Sequence, residues 1–215
     1  MIAAAGELQN GWQNGFSSDS EKESAVRRVS GIALREFGKR QREKGQIKYR
    51  FLSALTFRGH SSFPETAEAL CNRFYVFENR LRMAGPALKS IAQAAVDAGH
   101  DVIICPNPLT PEAPEAVLVP SLSLGFLASD SALASISDAR HIRLDALADV
   151  ERLKGERPEM RRCEKISDTL LNESYLVLGE AKRLHDQIES IFNPNVDFDG
   201  VNALVQEHIM SLGLK

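Results

Sequence analysis

Cysteine is scarce in this chain, long apolar runs are absent, and neither sign of charge dominates. The 215 residues include three cysteines, Cys71, Cys105 and Cys163, which are too far apart for a disulfide framework. The sequence also lacks the clustered Cys/His pattern that binds zinc. We therefore expect free thiols, a cytoplasmic protein and no metal site.

The rest of the composition excludes several further classes of protein. No apolar run approaches the roughly 20 residues of a membrane-spanning helix. The first residues lack the basic start and apolar core of a secretory signal. A net charge of −3, with 43% hydrophobic and 26% charged residues, is typical of an ordinary globular protein and points to no particular partner.

Apolar periodicity and turn-forming residues divide the chain into alternating strands and helices. Strands are expected at 50–55, 74–77, 101–105, 116–119, 124–128 and 141–144. Helices are expected at 21–44, 64–72, 86–98, 158–192 and 201–212, after an irregular segment at 1–20. This order predicts an α/β fold with a mainly parallel sheet of about five strands and a long C-terminal helix. It suggests two parts, an N-terminal arm with a basic helix at 1–47 and an α/β domain at 48–215.

The most informative stretch is 75–99, where an apolar strand is followed by a loop and by a helix that opens at Gly85-Pro86. This is the setting of a P-loop, whose pattern is Gly-x-x-x-x-Gly-Lys-Ser/Thr. The eight matching positions here are 78–85. Glu78 and Met83 stand in place of the two glycines, Ala84 in place of the lysine, and Gly85 in place of the hydroxyl residue.

These replacements remove the chemistry of a phosphate loop. Glu78 would repel a triphosphate, and Met83 adds bulk where the backbone should approach the ligand closely. Ala84 cannot neutralise phosphate, and Gly85 cannot bind magnesium. Arg80 and Arg82 are the two groups that could still attract an anion. The pattern predicts a degenerate loop without catalytic residues or a bound cofactor.

Beyond this loop, six further segments carry a resemblance to a known family, at 50–56, 59–63, 88–95, 101–104, 116–121 and 180–186. Together they make residues 48–192 resemble the second domain of an uncharacterised family of bacterial P-loop ATPase-like proteins with two such domains in tandem. The resemblance implies a P-loop NTPase-like fold. As the alternative to a loop that binds no nucleotide (a silent loop), it implies ATP with magnesium as cofactor. The family normally carries an intact P-loop, so this chain departs from it at the central position.

Three further residues are candidates because they match the family pattern. His60 lies in a Gly-His-Ser-Ser-Phe segment, His185 lies on the long helix, and Asp130 is the carboxylate nearest to an acidic position of the family. Each also has a structural interpretation. A lone histidine is commonly a hydrogen-bonded structural residue, and Asp130 could equally cap a helix or a turn.

Positive charge is concentrated at 27–50, where nine Lys/Arg stand against two Glu. Such a segment could bind nucleic acid or another polyanion. It could equally be a solvated helix and linker, which the thin aromatic content of Phe37 and Tyr49 favours.

Together the patterns predict a catalytically inactive P-loop-like protein that acts through protein interaction or regulation. The predicted partner is a second copy or a second P-loop protein, because the chain has room for one of the family's two domains. An apolar stripe between Cys163 and Ile191 would then lack part of its packing surface. The alternatives are an ATP-binding protein or ATPase, and a polyanion-binding module that uses 27–50.

Overall fold

A computed structural model of the chain describes residues 1–38, 43–129, 136 and 138–213. These residues form two compact units, Met1–Tyr175 and Leu176–Lys215. The helices are α1 (Ile2–Gly15), α2 (Asp19–Phe37), α3 (Pro64–Leu70), α4 (Ala84–Asp97), α5 (Val150–Phe192) and α6 (Phe198–Ser211). The strands are β1 (Ile47–Tyr49), β2 (Ser53–Thr56), β3 (Gly59–Ser62), β4 (Arg73–Phe77), β5 (Val102–Pro106), β6 (Pro114–Val119), β7 (Leu124–Ala128) and β8 (Arg140–Ile142).

The main sheet has six strands in the order β1-β5-β6-β7-β4-β8, and β2 and β3 form a separate antiparallel pair. Strand β6 pairs antiparallel with both neighbours, whereas the other three pairings are parallel. Five of the six strands therefore run in one direction. The predicted α/β fold with a mainly parallel sheet is confirmed; the sheet has six strands rather than about five, and the antiparallel β6 makes it mixed.

The reversal of β6 follows from the local chemistry of the loop that precedes it. The side-chain Oδ1 of Asn107 accepts hydrogen bonds from the N–H groups of Leu109 and Thr110, at 2.9 and 3.1 Å. Such an Asx turn closes the chain on itself, and the short loop leaves no room for the crossover that a parallel neighbour requires.

Both faces of the sheet are covered, which explains why β6 and β7 are buried along their whole length. Helices α2 and α4 pack together over one face, around Phe77, Phe126 and Leu88. Helix α3 and Leu52 contribute to the core on the other face, with Val76 and Leu118. Cys71, Cys105 and Cys163 are buried free thiols, as expected.

The N-terminal segment at 1–20 is largely helical, so the expectation of an irregular segment is wrong. Helix α1 lies against the loop after β5. A side chain at Gly6 would meet the backbone O of Leu109 at 2.4 Å, and Asn10 donates a hydrogen bond to Glu112. These tertiary contacts hold α1 against the loop, whereas the Asn-Gly pairs by themselves indicate turns.

Two helix boundaries also differ from the prediction. Helix α2 ends at Phe37 rather than at residue 44, because Gly38 takes a positive φ of 67° that terminates the helix. Helix α5 begins at Val150 and passes through Pro158, where the prediction placed its start. Asp149 accepts hydrogen bonds from the N–H groups of Glu151 and Arg152, which fixes the earlier start.

Smaller differences have local causes. Of the predicted strand at 50–55, residues 53–55 belong to β2, which pairs with β3, whereas β1 lies before the predicted segment and residues 50–52 lie outside both strands. The last helix begins at Phe198 rather than at residue 201, because Asp197 accepts a hydrogen bond from the Gly200 N–H and caps it. Within the described residues, no helix is both long and apolar enough to cross a membrane.

Candidate functional site

The predicted strand, loop and helix are present as β4, the loop 78–83 and α4. The loop lies at the carboxyl edge of the five strands that run in the same direction. Ligands of open α/β sheets bind at this edge. The predicted order of strand, loop and helix is therefore present, and the contacts of the loop decide what it can do.

A carboxylate from a distant part of the chain is hydrogen-bonded to the backbone N–H groups of the loop. Asp145, in the short 3₁₀ helix Asp145–Leu147 that follows β8, accepts hydrogen bonds from the backbone N–H groups of Arg80 and Leu81, at 3.1 and 3.4 Å. Burial raises the pKa of Asp145 above its ordinary range, and the two N–H groups oppose that rise. Asp145 thus binds the loop as an external anion would.

Asn79 engages more of the loop. Its side-chain Oδ1 accepts a hydrogen bond from the N–H of Ala84 at 2.8 Å, and its own N–H donates to the Oγ of Ser129 at 3.0 Å. Its carbonyl accepts from the N–H of Arg82, which has a positive φ of 57°. The loop is therefore closed by bonds within the protein at 79, 80, 81, 82 and 84.

The four residues that the sequence pattern aligned with a P-loop have structural roles. Met83, Ala84 and Gly85 are buried, and Met83 belongs to the main core. Glu78 is half-buried, donates its N–H to the Ile142 carbonyl and lies 3.8 Å from the guanidinium of Arg143. Each of these four residues is therefore buried or bonded to another part of the protein.

A cleft of about 480 Å³ lies beside the loop. It brings together three side chains that the sequence singled out separately, His60 on β3 and Arg80 and Arg82 in the loop. The remaining lining residues are Leu55, Asn79, Asn107, Pro108, Leu109, Glu115, Ser129, Glu164, Leu171 and Tyr175. The lining carries both signs of charge, so the cleft is not a simple anion pocket.

Glu115 is a site residue that sequence reasoning missed. It is buried at the start of β6, and both of its carboxylate oxygens accept a hydrogen bond from the Oγ of Ser53, at 2.7 and 2.8 Å. The sequence signal is an acid inside an otherwise apolar strand, preceded by a proline. Asp145 and Asn79 were also missed, because nothing local marks a carboxylate or an amide that will meet a loop.

The two predicted histidines belong to different units of the chain. His60 is exposed, and partial desolvation lowers its pKa. His185 lies in the C-terminal unit, where its Nε2 is 3.5 Å from the carboxylate of Glu189. Asp130 lies outside the described residues. In the described part of the chain, no group of three or more His, Cys, Asp or Glu could hold a metal ion.

The basic segment 27–50 is divided between several elements. Arg27 lies 3.6 Å from the carboxylate of Glu23 on α2, and Lys44 lies 3.0 Å from that of Asp97 on α4. Arg50 donates a hydrogen bond to the carbonyl of Tyr49. Part of the local charge is therefore neutralised within the protein.

Comparison of the chain with family models, with curated proteins and with solved structures finds no match.

Proposed function

We propose that this chain is a degenerate P-loop-like protein that has no nucleotide chemistry of its own and acts through protein interaction or regulation in the cytoplasm. The observation that carries the proposal is the carboxylate of Asp145 on the N–H groups of Arg80 and Leu81. In a working P-loop, backbone N–H groups of the loop bind phosphate oxygens.

The energetics support a silent loop. A phosphate would have to displace Asp145, and a partly buried carboxylate that loses its hydrogen bonds costs about 1–3 kcal/mol or more. The displaced negative charge would remain near the incoming anion, together with that of Glu78. Ala84 and Gly85 supply neither the cation nor the metal ligand that would offset these costs.

We expect the purified protein to bind magnesium ATP no more tightly than about 1 mM and not to hydrolyse it. Loss of the lysine, the hydroxyl residue and the free N–H groups should remove several kcal/mol of phosphate binding. Isothermal calorimetry measures the affinity, and phosphate release measures turnover. Micromolar binding, or turnover that persists at constant specific activity through purification, would contradict the proposal.

The variant Asp145→Ala uncovers the two N–H groups and tests whether the carboxylate is the block. Its affinity for pyrophosphate should exceed that of the unmodified chain by at least about tenfold, which corresponds to ~1.4 kcal/mol. Glu78→Gln provides the comparison, because it removes a nearby negative charge without uncovering the N–H groups. Equal affinities for the unmodified chain and Asp145→Ala would show that Asp145 does not control the loop.

An ATP-binding protein is the second candidate, and the cleft beside the loop favours it. A volume of about 480 Å³ lies within the range of small-molecule sites, and Arg80 and Arg82 are on its wall. In this alternative, a nucleotide would occupy the cleft in a non-standard way, without the backbone cradle. The same calorimetry separates the two candidates.

The third candidate, polyanion binding by 27–50, receives less support because Arg27 and Lys44 already lie beside carboxylates. We expect only non-specific binding of nucleic acid, with dissociation constants of ~1–100 µM and a steep loss with salt. Fluorescence anisotropy with two unrelated oligonucleotides, at two salt concentrations, measures this. The variant Arg28→Glu/Arg35→Glu should weaken binding, unlike Lys165→Glu on α5. Sequence preference at physiological salt would contradict the expectation.

A further inference from the structure

Helix α5 carries an apolar repeat of seven residues along its length. One row consists of Cys163, Leu170, Val177, Leu184 and Ile191, and the row beside it of Met160, Ser167, Ser174, Ala181 and Ile188. These rows correspond to the d and a positions of a heptad repeat, the pattern by which helices pair along a seam. The C-terminal stripe is the part of this seam within the second unit, formed by Val177, Ala181, Leu184, Ile188 and Ile191.

Burial changes along the seam. In the first unit, Met160, Cys163, Ser167 and Ser174 are buried. In the second unit, the side chains of Leu184, Ile188 and Ile191 are 52%, 54% and 68% exposed. The same helical face is therefore core in one unit and open in the other.

The second unit has little core of its own. Among its described residues, 176–213, none is buried, and all of 180–199 are exposed. Helices of this length are marginal in water when they are isolated, and their stability comes from packing of an apolar face. The pattern and the exposure together indicate that a partner covers the C-terminal stripe.

The net charge of this unit disfavours anionic partners. Residues 176–215 contain six Asp/Glu and three Lys/Arg, a net charge of −3 that opposes nucleic acids and anionic lipid surfaces. Lys182 pairs with Asp186 along the helix, away from the stripe. Positions beside the stripe, at 178, 180, 185 and 187, carry one formal charge at neutral pH, on Glu180. Along the stripe itself, two copies would therefore face each other with one negative charge each, so that like-charge repulsion within the contact is small although both units carry −3.

The available area fits a dimer. Thirteen large apolar residues between 176 and 212 are exposed: Leu176, Val177, Leu184, Ile188, Ile191, Phe192, Val196, Phe198, Val201, Leu204, Val205, Met210 and Leu212. At roughly 50 Å² for each half-exposed side chain, they offer about 650 Å². Each partner in a standard protein interface contributes ~800 Å².

We propose that this unit is a homodimer interface, in which the C-terminal stripe packs on the same stripe of a second copy to form a helical bundle. This surface would be the means by which a protein without chemistry of its own assembles. The inference uses a different part of the chain from the silent loop, so that either can fail while the other holds.

Sedimentation equilibrium of the full chain across a dilution series tests the inference without any variant. We expect a dimer at micromolar concentration. A monomer at every concentration would overturn the proposal, and it would mean that the stripe is covered within one chain.

A variant pair then locates the interface. Leu184→Glu/Ile188→Glu should weaken the dimer by at least ~100-fold, because each substitution places a charge at the centre of the seam. Ser190→Glu introduces the same side chain on the opposite side of α5 and should leave the dimer unchanged. The first unit should unfold with the same midpoint in the unmodified chain and in both variants, when all three are compared at concentrations at which they are monomeric. Near-ultraviolet circular dichroism measures this unfolding. A dimer that withstands the double substitution would overturn the assignment of this surface.

Discussion

Replacement of Phe126 by alanine is expected to lower the free energy of unfolding by about 3–5 kcal/mol, the range for an aromatic residue lost from a core. Phe126 is fully buried on β7. Its ring is stacked with those of Tyr75 and Phe77, with centroids 5.4 and 6.1 Å away, and it meets Phe37 edge-on at 6.0 Å. The substitution therefore removes packing between the sheet and α2 as well as within the sheet.

Chemical denaturation followed by circular dichroism measures this loss. Leu34→Ala provides the comparison, because Leu34 lies on α2 and is 77% exposed. Its effect should be below about 0.5 kcal/mol. Similar losses for the two variants would mean that Phe126 is not at the centre of the core.

The second large effect is expected at Glu21. Its carboxylate accepts hydrogen bonds from the Ser18 N–H, the Asp149 N–H and the guanidinium of Arg152, at 2.6, 2.8 and 3.0 Å. Burial raises the pKa of Glu21, but these bonds outweigh it and lower the pKa from 4.5 to about 2. This lowering of the pKa corresponds to at most about 3.4 kcal/mol of stability, and solvent screening of the partly exposed carboxylate reduces the expected contribution to about 2 kcal/mol.

The sign of the pH dependence follows from the depressed pKa. Because the folded protein binds the proton less tightly than the unfolded chain, the stabilisation is complete above pH ~4.5 and is lost as the pH falls toward ~2. Glu21→Gln keeps the capping geometry of α2 but removes the charge. We expect it to cost about 2 kcal/mol at pH 7 and progressively less between pH 4.5 and 2.

Denaturant unfolding at several pH values measures this difference. Glu23→Gln is the matched control, because Glu23 on the same helix pairs with Arg27 and both side chains are largely exposed. Exposed pairs contribute at most about 1 kcal/mol. A pH-independent difference between Glu21→Gln and the unmodified chain would show that the charge of Glu21 is not the source of its effect.

Local patterns predicted the features that depend on neighbouring residues. The frame of β4, loop and α4 is confirmed because an apolar strand, Pro86 and Gly99 lie within one short segment. The seam on α5 could be predicted for the same reason, since its period is a property of one helix.

The features that were missed depend on contacts between distant segments. Asp145 meets Arg80 across 65 positions of sequence, and Glu115 meets Ser53 across 62. Helix α1 has turn-forming Asn-Gly pairs, yet it is helical and packs closely at Gly6 on the backbone of Leu109. Helix α5 begins before Pro158, at a start held by tertiary contacts: the Asp149 N–H donates to Glu21, and the Arg152 guanidinium donates to the Phe16 carbonyl. Propensity and spacing alone cannot supply these pairings.

The central claim is that the backbone N–H groups of the loop are occupied by the protein itself. Amide resonances of Arg80, Leu81 and Ala84, followed by ¹⁵N nuclear magnetic resonance during a titration with magnesium ATP, test it most directly. We predict protected amides whose chemical shifts do not change up to about 1 mM nucleotide. Shifts of these three amides that saturate at micromolar nucleotide would contradict the account.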